Sequence, residues 1–325
     1  MDPLVSIITP CYNGEGKVNL FLDSLLNQTY SNIEFIIIND GSTDSTEKII
    51  LSYKVLFEKK GYKFIYLKQK NSGQDVALNN GLKIFSGKYL MWTDADDILD
   101  RDNIKEKVFY FEKHKECSLV YCNSVIVSEK NLKIPIKYWN KELNIDKKVF
   151  FQDVIKANNI IYAGGAWMLR SESFLSIRPN RNIEVEGFGQ NWQMLLPMIY
   201  NFNIGKIDKY LFTYVIYKNS HSHKKKTYMD EYLYIKKIKK GLLNILNNIN
   251  INLKDREELY NFIENMINYK LMNLSIDNEV RAQFKEEYTY LKNNNFNFGL
   301  KDKIKIILFR IYIYKYVKRI REILK

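Results

Sequence analysis

The stretch "YLMWTDADDILD", residues 89–100, sets the reading of the whole chain. An apolar, strand-like run (Tyr89, Leu90, Met91, Trp92) stops abruptly at three acids, Asp94, Asp96 and Asp97. Like charges crowded at a strand end repel one another. A fold keeps them if they are solvated, if they cap a helix, or if a cation neutralises them. A hard divalent ion such as Mg²⁺ or Mn²⁺ is typically held by one or two carboxylates together with substrate phosphate oxygens. What surrounds the stretch bears on the choice.

Upstream the sequence repeats one pattern. "VSIITPCY" (5–12), "IEFIIIND" (33–40) and "FIYLKQ" (64–69) are solid apolar runs, each followed by a helix-length amphipathic stretch, at 15–29, 44–60 and 73–86. Runs of this kind indicate parallel strands covered on both faces, the βαβ arrangement of a doubly wound sheet. In such sheets ligands bind at the carboxyl ends of the strands. Those ends read "TPCYNGE", "NDGSTDST", "KQKNSGQD" and "TDADD". Each is ordinary turn chemistry by itself. Four polar ends on one rim favour a site, and with it the cation reading of Asp94, Asp96 and Asp97. Asp40, at the second end, is placed to accept hydrogen bonds, for instance from a base N–H, while Asp44 or Ser42 caps the helix that follows.

The remaining sequence is less regular. Residues 126–225 mix a connector, a helix near 151–157, a strand at 161–170 with a close-approach pair Gly164-Gly165, and a helix at 189–202 that Pro197 is expected to kink or end. From about 226 the pattern is helical, with Asp255 suited to an N-cap. The last 25 residues, 301–325, carry nine Lys/Arg against two acids, a net +7 within a chain whose net charge is +13. Their apolar residues could pack on the protein or lie on an anionic membrane surface, the option the concentrated charge favours. No nucleic-acid-reading element is visible. No run of 18 apolar uncharged residues suggests a membrane span, the N-terminus lacks the features of a signal peptide, and three cysteines without ligand spacing suggest reduced thiols. The expected location is cytoplasmic, peripheral at the inner face of the membrane.

"VSIITPCYNGE", "IEFIIINDGSTDST", "NSGQDVALNNGL" and "YLMWTDADD", in this order and spacing, strongly resemble the family 2 glycosyltransferases. These are inverting, nucleotide-sugar-dependent enzymes with the GT-A fold: α/β, Rossmann-like, a mostly parallel sheet flanked by helices. The resemblance is specific over residues 4–100, weaker to about 223 and absent beyond. It implies a GT-A domain over 1–225; the helical pattern beyond it marks a helical C-terminal region, 226–325, with a basic amphipathic end. It implies that Pro10, Tyr12, Asn13 and Glu15 line the base and ribose pocket, that Asp40 binds the base, usually uracil, and that Asn71 and Gly73 border the nucleotide. Asp94 would contact the ribose side, Asp96 would bind the Mn²⁺ or Mg²⁺ that bridges the diphosphate of a UDP-sugar, and Asp97 would lie beside it, supporting the site or the sugar. The sequence departs from the family at Leu78, where an Arg is usual, and at Gln190-Asn191, where an acidic pair is usual.

Inverting transfer needs a base for the acceptor hydroxyl. Neither amide can serve, so Glu186 is the expected base, with Glu184 also near and Gln190, Asn191 and Trp192 shaping the acceptor pocket. "KNSHSHKKK" (218–226) brings His221 and His223, either of which would suit the metal or the diphosphate; the resemblance supports this, many family members closing the site with a His. The expected activity is transfer of a sugar from a UDP-sugar to a hydroxyl of a glycan or lipid-linked oligosaccharide, as in cell-surface polysaccharide synthesis. Its alternative is a catalytically weak nucleotide-sugar-binding partner of a glycan assembly complex. A nucleotidyltransferase is a weaker option, since "PCYNGEGK" resembles its Gly-rich loop only superficially.

Overall fold

The computed structural model describes residues 2–143, 146–185, 187–218, 227–311 and 314. The chain divides into two compact units, Met1–His223 with Asn248–Ile251, and Lys224–Asn247 with Asn252–Lys325.

Among the described residues the first unit is built on nine strands: β1 Val5–Cys11, β2 Ile33–Asp40, β3 Lys63–Gln69, β4 Tyr89–Trp92, β5 Ile98–Leu99, β6 Cys117–Ser128, β7 Asn131–Trp139, β8 Trp167–Arg170 and β9 Asn203–Ile216. Its helices are α1 Val18–Leu26, α2 Thr46–Lys59, α3 Gln74–Ile84, α4 Asn103–Lys113, α5 Lys147–Lys156, α6 Ser171–Ile177 and α7 Gln190–Asn201. The strands form one sheet in the order β3-β2-β1-β4-β8-β6-β9-β5, with β7 paired to the far part of β6. Pairing is parallel across β3-β2-β1-β4. Beyond that point it is mixed, because β8 runs antiparallel to both β4 and β6.

β2 explains why the apolar runs read so clearly. All eight of its residues are buried, with Ile36, Ile37 and Ile38 fully so. Helices cover both of its faces, so neither parity of side chain needs to be polar. Burying each such side chain is worth roughly 1.5–3 kcal/mol. Phe35 sets its ring 5.2 Å from that of Phe57 of α2, tilted, and 5.9 Å from that of Phe21 of α1, edge-on, which fixes these helices on one side. At the amino ends of the strands the buried carboxylate of Glu34 accepts from Ser6 Oγ (2.5 Å), Lys63 Nζ (2.7 Å), Ser86 N (2.8 Å) and Ser86 Oγ (2.6 Å). Burial pushes this acid up, and the four donors more than offset it, so it is held below the usual range.

Two local expectations are corrected. Pro197 does not end its helix: α7 runs through it to Asn201. The proline removes the N–H that would bond Gln193 O, and the Arg178 guanidinium donates to that carbonyl at 3.3 Å instead. The strand expected over 161–170 begins only at Trp167, after a short 3₁₀ turn, Gly164–Ala166.

The second unit holds α8 Tyr228–Asn247, α9 Leu253–Asp277, α10 Arg281–Asn293 and α11 Leu300–Arg310. Asn252, not Asp255, caps α9, accepting from Asp255 N at 2.9 Å while its amide donates to the Asp255 carboxylate at 2.9 Å. Met272, Ile276, Phe284, Leu291, Ile306 and Phe309 form the core of this unit. α11 thus packs by Ile306 and Phe309, and leaves Leu300, Ile304, Ile307 and Ile311 exposed. Residues 315–325 of the basic end lie outside the described residues. Among the described residues no helix is long and apolar enough to cross a membrane.

Candidate active site

Parallel register brings the four polar strand ends together. Ile8 pairs with Trp92, Cys11 with Asn39, and Asp40 with Gln69. The loop after β1 is then stitched to the loop after β2. Asn13, in the left-handed region at φ 47°, accepts from Thr43 N at 2.9 Å and donates its own N–H to Ser42 Oγ at 3.0 Å. Gly14 N donates to Thr46 Oγ1 at 2.7 Å, Glu15 N to Asp44 at 3.1 Å, and Glu15 accepts from Ser45 N at 3.1 Å. Asn13 and Glu15 therefore build the rim before they meet any ligand. Pro10 is buried in β1, and Tyr12 is exposed at its end.

Asp40 has a structural task that the sequence did not disclose. It is 3% exposed and accepts from Gln69 Nε2 at 2.8 Å, Ser72 N at 2.8 Å and Gly73 N at 2.9 Å. This ties the end of β2 to the start of α3. Gly41, at φ 69°, lies so near Asn71 that an added Cβ would sit 2.5 Å from its nitrogen. Asn71 and Gly73 thus stand on a loop held from beneath by Asp40. Leu78 is fully buried, so the departure from the family's Arg places an apolar side chain in the core and no polar group at the rim.

The acids after β4 cap nothing. A two-residue strand, β5, follows them, and the next helix, α4, starts only at Asn103 with Asp102 at its cap. Asp94 is half-buried and accepts from Gln74 Nε2 at 2.6 Å, with Gln190 Nε2 at 3.4 Å. Burial first and the Asp96 charge second push it up to about 7, against the Gln74 hydrogen bond. Asp97 is 2% exposed; Oδ1 accepts from Val215 N at 3.2 Å, and Oδ2 has no partner among the described residues. Burial, then Asp96 and Asp94, push it well above the usual range. The contrast with Glu34 is direct: both acids are buried, one has four donors and the other has one. The field of this corner also reaches Cys11, pushed up to about 12 by burial, Asp44 and Asp96. Tyr217 shares it: its hydroxyl is buried and without a partner among the described residues, and Lys17 Nζ sits 4.5 Å from its ring centre.

Because folding raises Asp97 above its ordinary value, the folded chain binds more protons than the unfolded one between the two values. Its stability falls as pH rises through that window. Asp97→Asn is therefore expected to raise the melting temperature of chelator-treated protein at pH 8, with the gain shrinking toward pH 4.5. A variant no more stable than wild type at pH 8 would show that the Asp97 carboxylate is well solvated.

The other wall comes from the second half of the unit. A Cβ on Gly164 would lie 2.3 Å from Trp92 O, and one on Gly165 would lie 2.4 Å from the Phe212 ring, so this pair packs directly against the end of β4. The Trp92 indole donates to Asn191 Oδ1 at 2.6 Å, which places the start of α7 beside the acids. Trp192 packs against Tyr162, ring centres 5.5 Å apart and the planes tilted. The preceding loop is clamped by side chains. Asn79 of α3 both accepts from Ile183 N (2.8 Å) and donates to Ile183 O (2.9 Å). Gln193 of α7 does the same for Glu184, at 2.7 and 3.0 Å, and Asp75 accepts from Gly187 N at 2.8 Å. Glu186 lies outside the described residues, as do His221 and His223. Sequence reasoning missed Gln74, Asp75, Asn79, Gln193, Lys17 and Tyr217. The amides on successive turns of α3 and α7 were the available signal.

The acids fit a divalent cation by their chemistry: hard oxygen donors, crowded, with one buried oxygen lacking a partner among the described residues. Asp96 and Asp94 are the side chains that would hold it. Among the described residues no group of three or more His, Cys, Asp or Glu is placed so that it could hold a metal ion.

A GT-A glycosyltransferase fold is what this sheet and rim define. The chain resembles Staphylococcus aureus TarS 1–349 in complex with UDP (TM-score 0.57, 18% identity, 80% of this chain and 70% of that one). It also resembles a Pyrobaculum calidifontis mannosyltransferase in complex with GDP-Man and Mn²⁺ (TM-score 0.56, 12% identity, 96% and 84%). The sequence model of glycosyl transferase family 2 matches residues 6–178, and the chain belongs to that family. An uncharacterized glycosyltransferase of Rickettsia prowazekii is 42% identical over 131 residues, 40% of this chain and 39% of that protein. Glycosyltransferase GlyA of Streptococcus pneumoniae is 36% identical over 105 residues, 32% of this chain and 14% of that protein. The chain thus matches about two fifths or less of the length of these relatives.

Proposed function

We propose that this glycosyltransferase is metal-dependent and inverting, and that it moves a sugar from a UDP-sugar to a hydroxyl of a glycan or lipid-linked acceptor. The observation that carries the reading is the corner at the end of β4, where Asp97 is buried short of donors beside Asp94 and Asp96. A bound Mn²⁺ or Mg²⁺ supplies positive charge for the leaving diphosphate. Asp96 and Asp94 would hold that ion, with either His221 or His223 as a further ligand. The rim of Tyr12, Asn13, Glu15, Asp40, Asn71 and Gly73 would take the nucleoside. The acceptor oxygen attacks the anomeric carbon from the face opposite the diphosphate, its proton passes to a carboxylate, and the bond from that carbon to the diphosphate breaks. Gln190 and Asn191 are amides and cannot take that proton. The loop clamped by Asn79, Gln193 and Asp75 carries Glu184 and Glu186, and Glu186 is the proposed base. The basic end, together with the exposed Leu300, Ile304, Ile307 and Ile311, supports a peripheral place on the inner membrane face.

A thermal-shift screen of UDP- and GDP-sugars, each with Mn²⁺ and with chelator, tests the donor. The expected result is a shift for a UDP-sugar that requires Mn²⁺, accompanied by slow hydrolysis of that donor. Binding without any hydrolysis or transfer to candidate acceptors would favour the nucleotide-sugar-binding partner instead. Stabilisation only by GDP-sugars would overturn the UDP-sugar assignment.

A further inference from the structure

The β7 edge presents a surface that the transfer chemistry does not use. Leu132, Ile134, Ile136 and Tyr138 are 36%, 64%, 60% and 51% exposed. Tyr210 of β9 extends the patch, its ring 5.2 Å from that of Tyr138. Isolated apolar residues on a surface are ordinary, but a contiguous set marks an interaction site. The same segment is basic: residues 130–141 hold four lysines and no acid. Among the described residues Lys130, Lys133 and Lys137 have no carboxylate partner, while Lys141 is paired with Asp153 at 3.1 Å.

A second chain adding a strand here is disfavoured. Pro135 removes a donor from the edge, the β6–β7 register slips between Ile126 and Ser128, and lysines flank the apolar side chains. What suits apolar side chains, two tyrosines and lysines without a carboxylate partner among the described residues is an interface between hydrocarbon and anionic headgroups. Register also places the edge near the site. Pro135 pairs with Val127, Val127 with Val215, and Val215 N donates to Asp97. The edge therefore lies two strand spacings, roughly 10 Å, from β9, with Asp97 on the far side of that strand.

We propose that β7 docks the first unit on an anionic lipid bilayer, so that a membrane-anchored acceptor meets the site at the surface. The proposal is separate from the C-terminal end, which stays intact in every variant below. The test is flotation of the full chain with phosphatidylcholine vesicles, with and without phosphatidylglycerol. The expected result is binding that needs phosphatidylglycerol. It should fall about tenfold or more in Ile134→Ser/Ile136→Ser, and comparably in Lys133→Glu/Lys137→Glu, with donor hydrolysis and melting temperature unchanged. The charge variant keeps the test open if the serine variant fails to fold. Wild type that does not float, variants that float as well as wild type, or binding indifferent to phosphatidylglycerol would overturn the proposal. So would a dimer in solution that the serine variant dissolves.

Discussion

Asp96→Asn is expected to lower kcat/KM for sugar transfer about 10³-fold while leaving the fold intact. The corner holds three acids, and its electrostatics are those of a site short of positive charge: Asp94 and Asp97 are both pushed up, each by burial and by Asp96. Removing the Asp96 charge relieves that repulsion, so the variant should be at least as stable as wild type without metal. The cost falls on the reaction, where the proposed cation and the leaving diphosphate lose their anionic anchor. Stabilisation of developing charge by a bound metal amounts to several kcal/mol, and about 4 kcal/mol corresponds to the stated factor. Initial rates at saturating Mn²⁺, beside a melting curve in chelator, separate the two effects. Turnover within a few-fold of wild type would remove Asp96 from the metal site.

Asp40→Ala has the second largest expected effect, and it falls on stability as well as binding. Three donors lose their acceptor in a nearly closed environment, two of them backbone N–H groups at the start of α3. Leaving buried donors unmade costs roughly 1–3 kcal/mol each, less where water enters, so a loss of about 3 kcal/mol is expected. UDP affinity should fall with it, because Asn71 and Gly73 stand on that loop. Denaturant unfolding checks the first part and calorimetry the second. Unchanged stability with lost UDP binding would mean that Asp40 acts only as a nucleotide contact.

The first hundred residues were legible because their physics is local. β2 is buried on both faces, so Phe35–Ile38 form an apolar run without a polar break, and the buried β1 is similarly apolar. The acids at 94–97 were legible because such crowding at a strand end needs a reason. What the sequence hid is set by distant partners. Asn79 and Ile183 are 104 residues apart, and nothing near either one indicates the pairing. The same holds for Asp40, whose three donors come from the next strand end and loop. α7 continues through Pro197 because Arg178, far from it in sequence, takes the freed carbonyl. The antiparallel direction of β8 was not legible, since four residues carry no directional signal.

Calorimetric titration of UDP into the full chain, once with Mn²⁺ and once with chelator, reports on the role of the cation without relying on turnover. Tight binding is expected with the cation, at least tenfold weaker binding without it, and loss of this difference in Asp96→Asn. Equal affinity in both conditions would contradict that role.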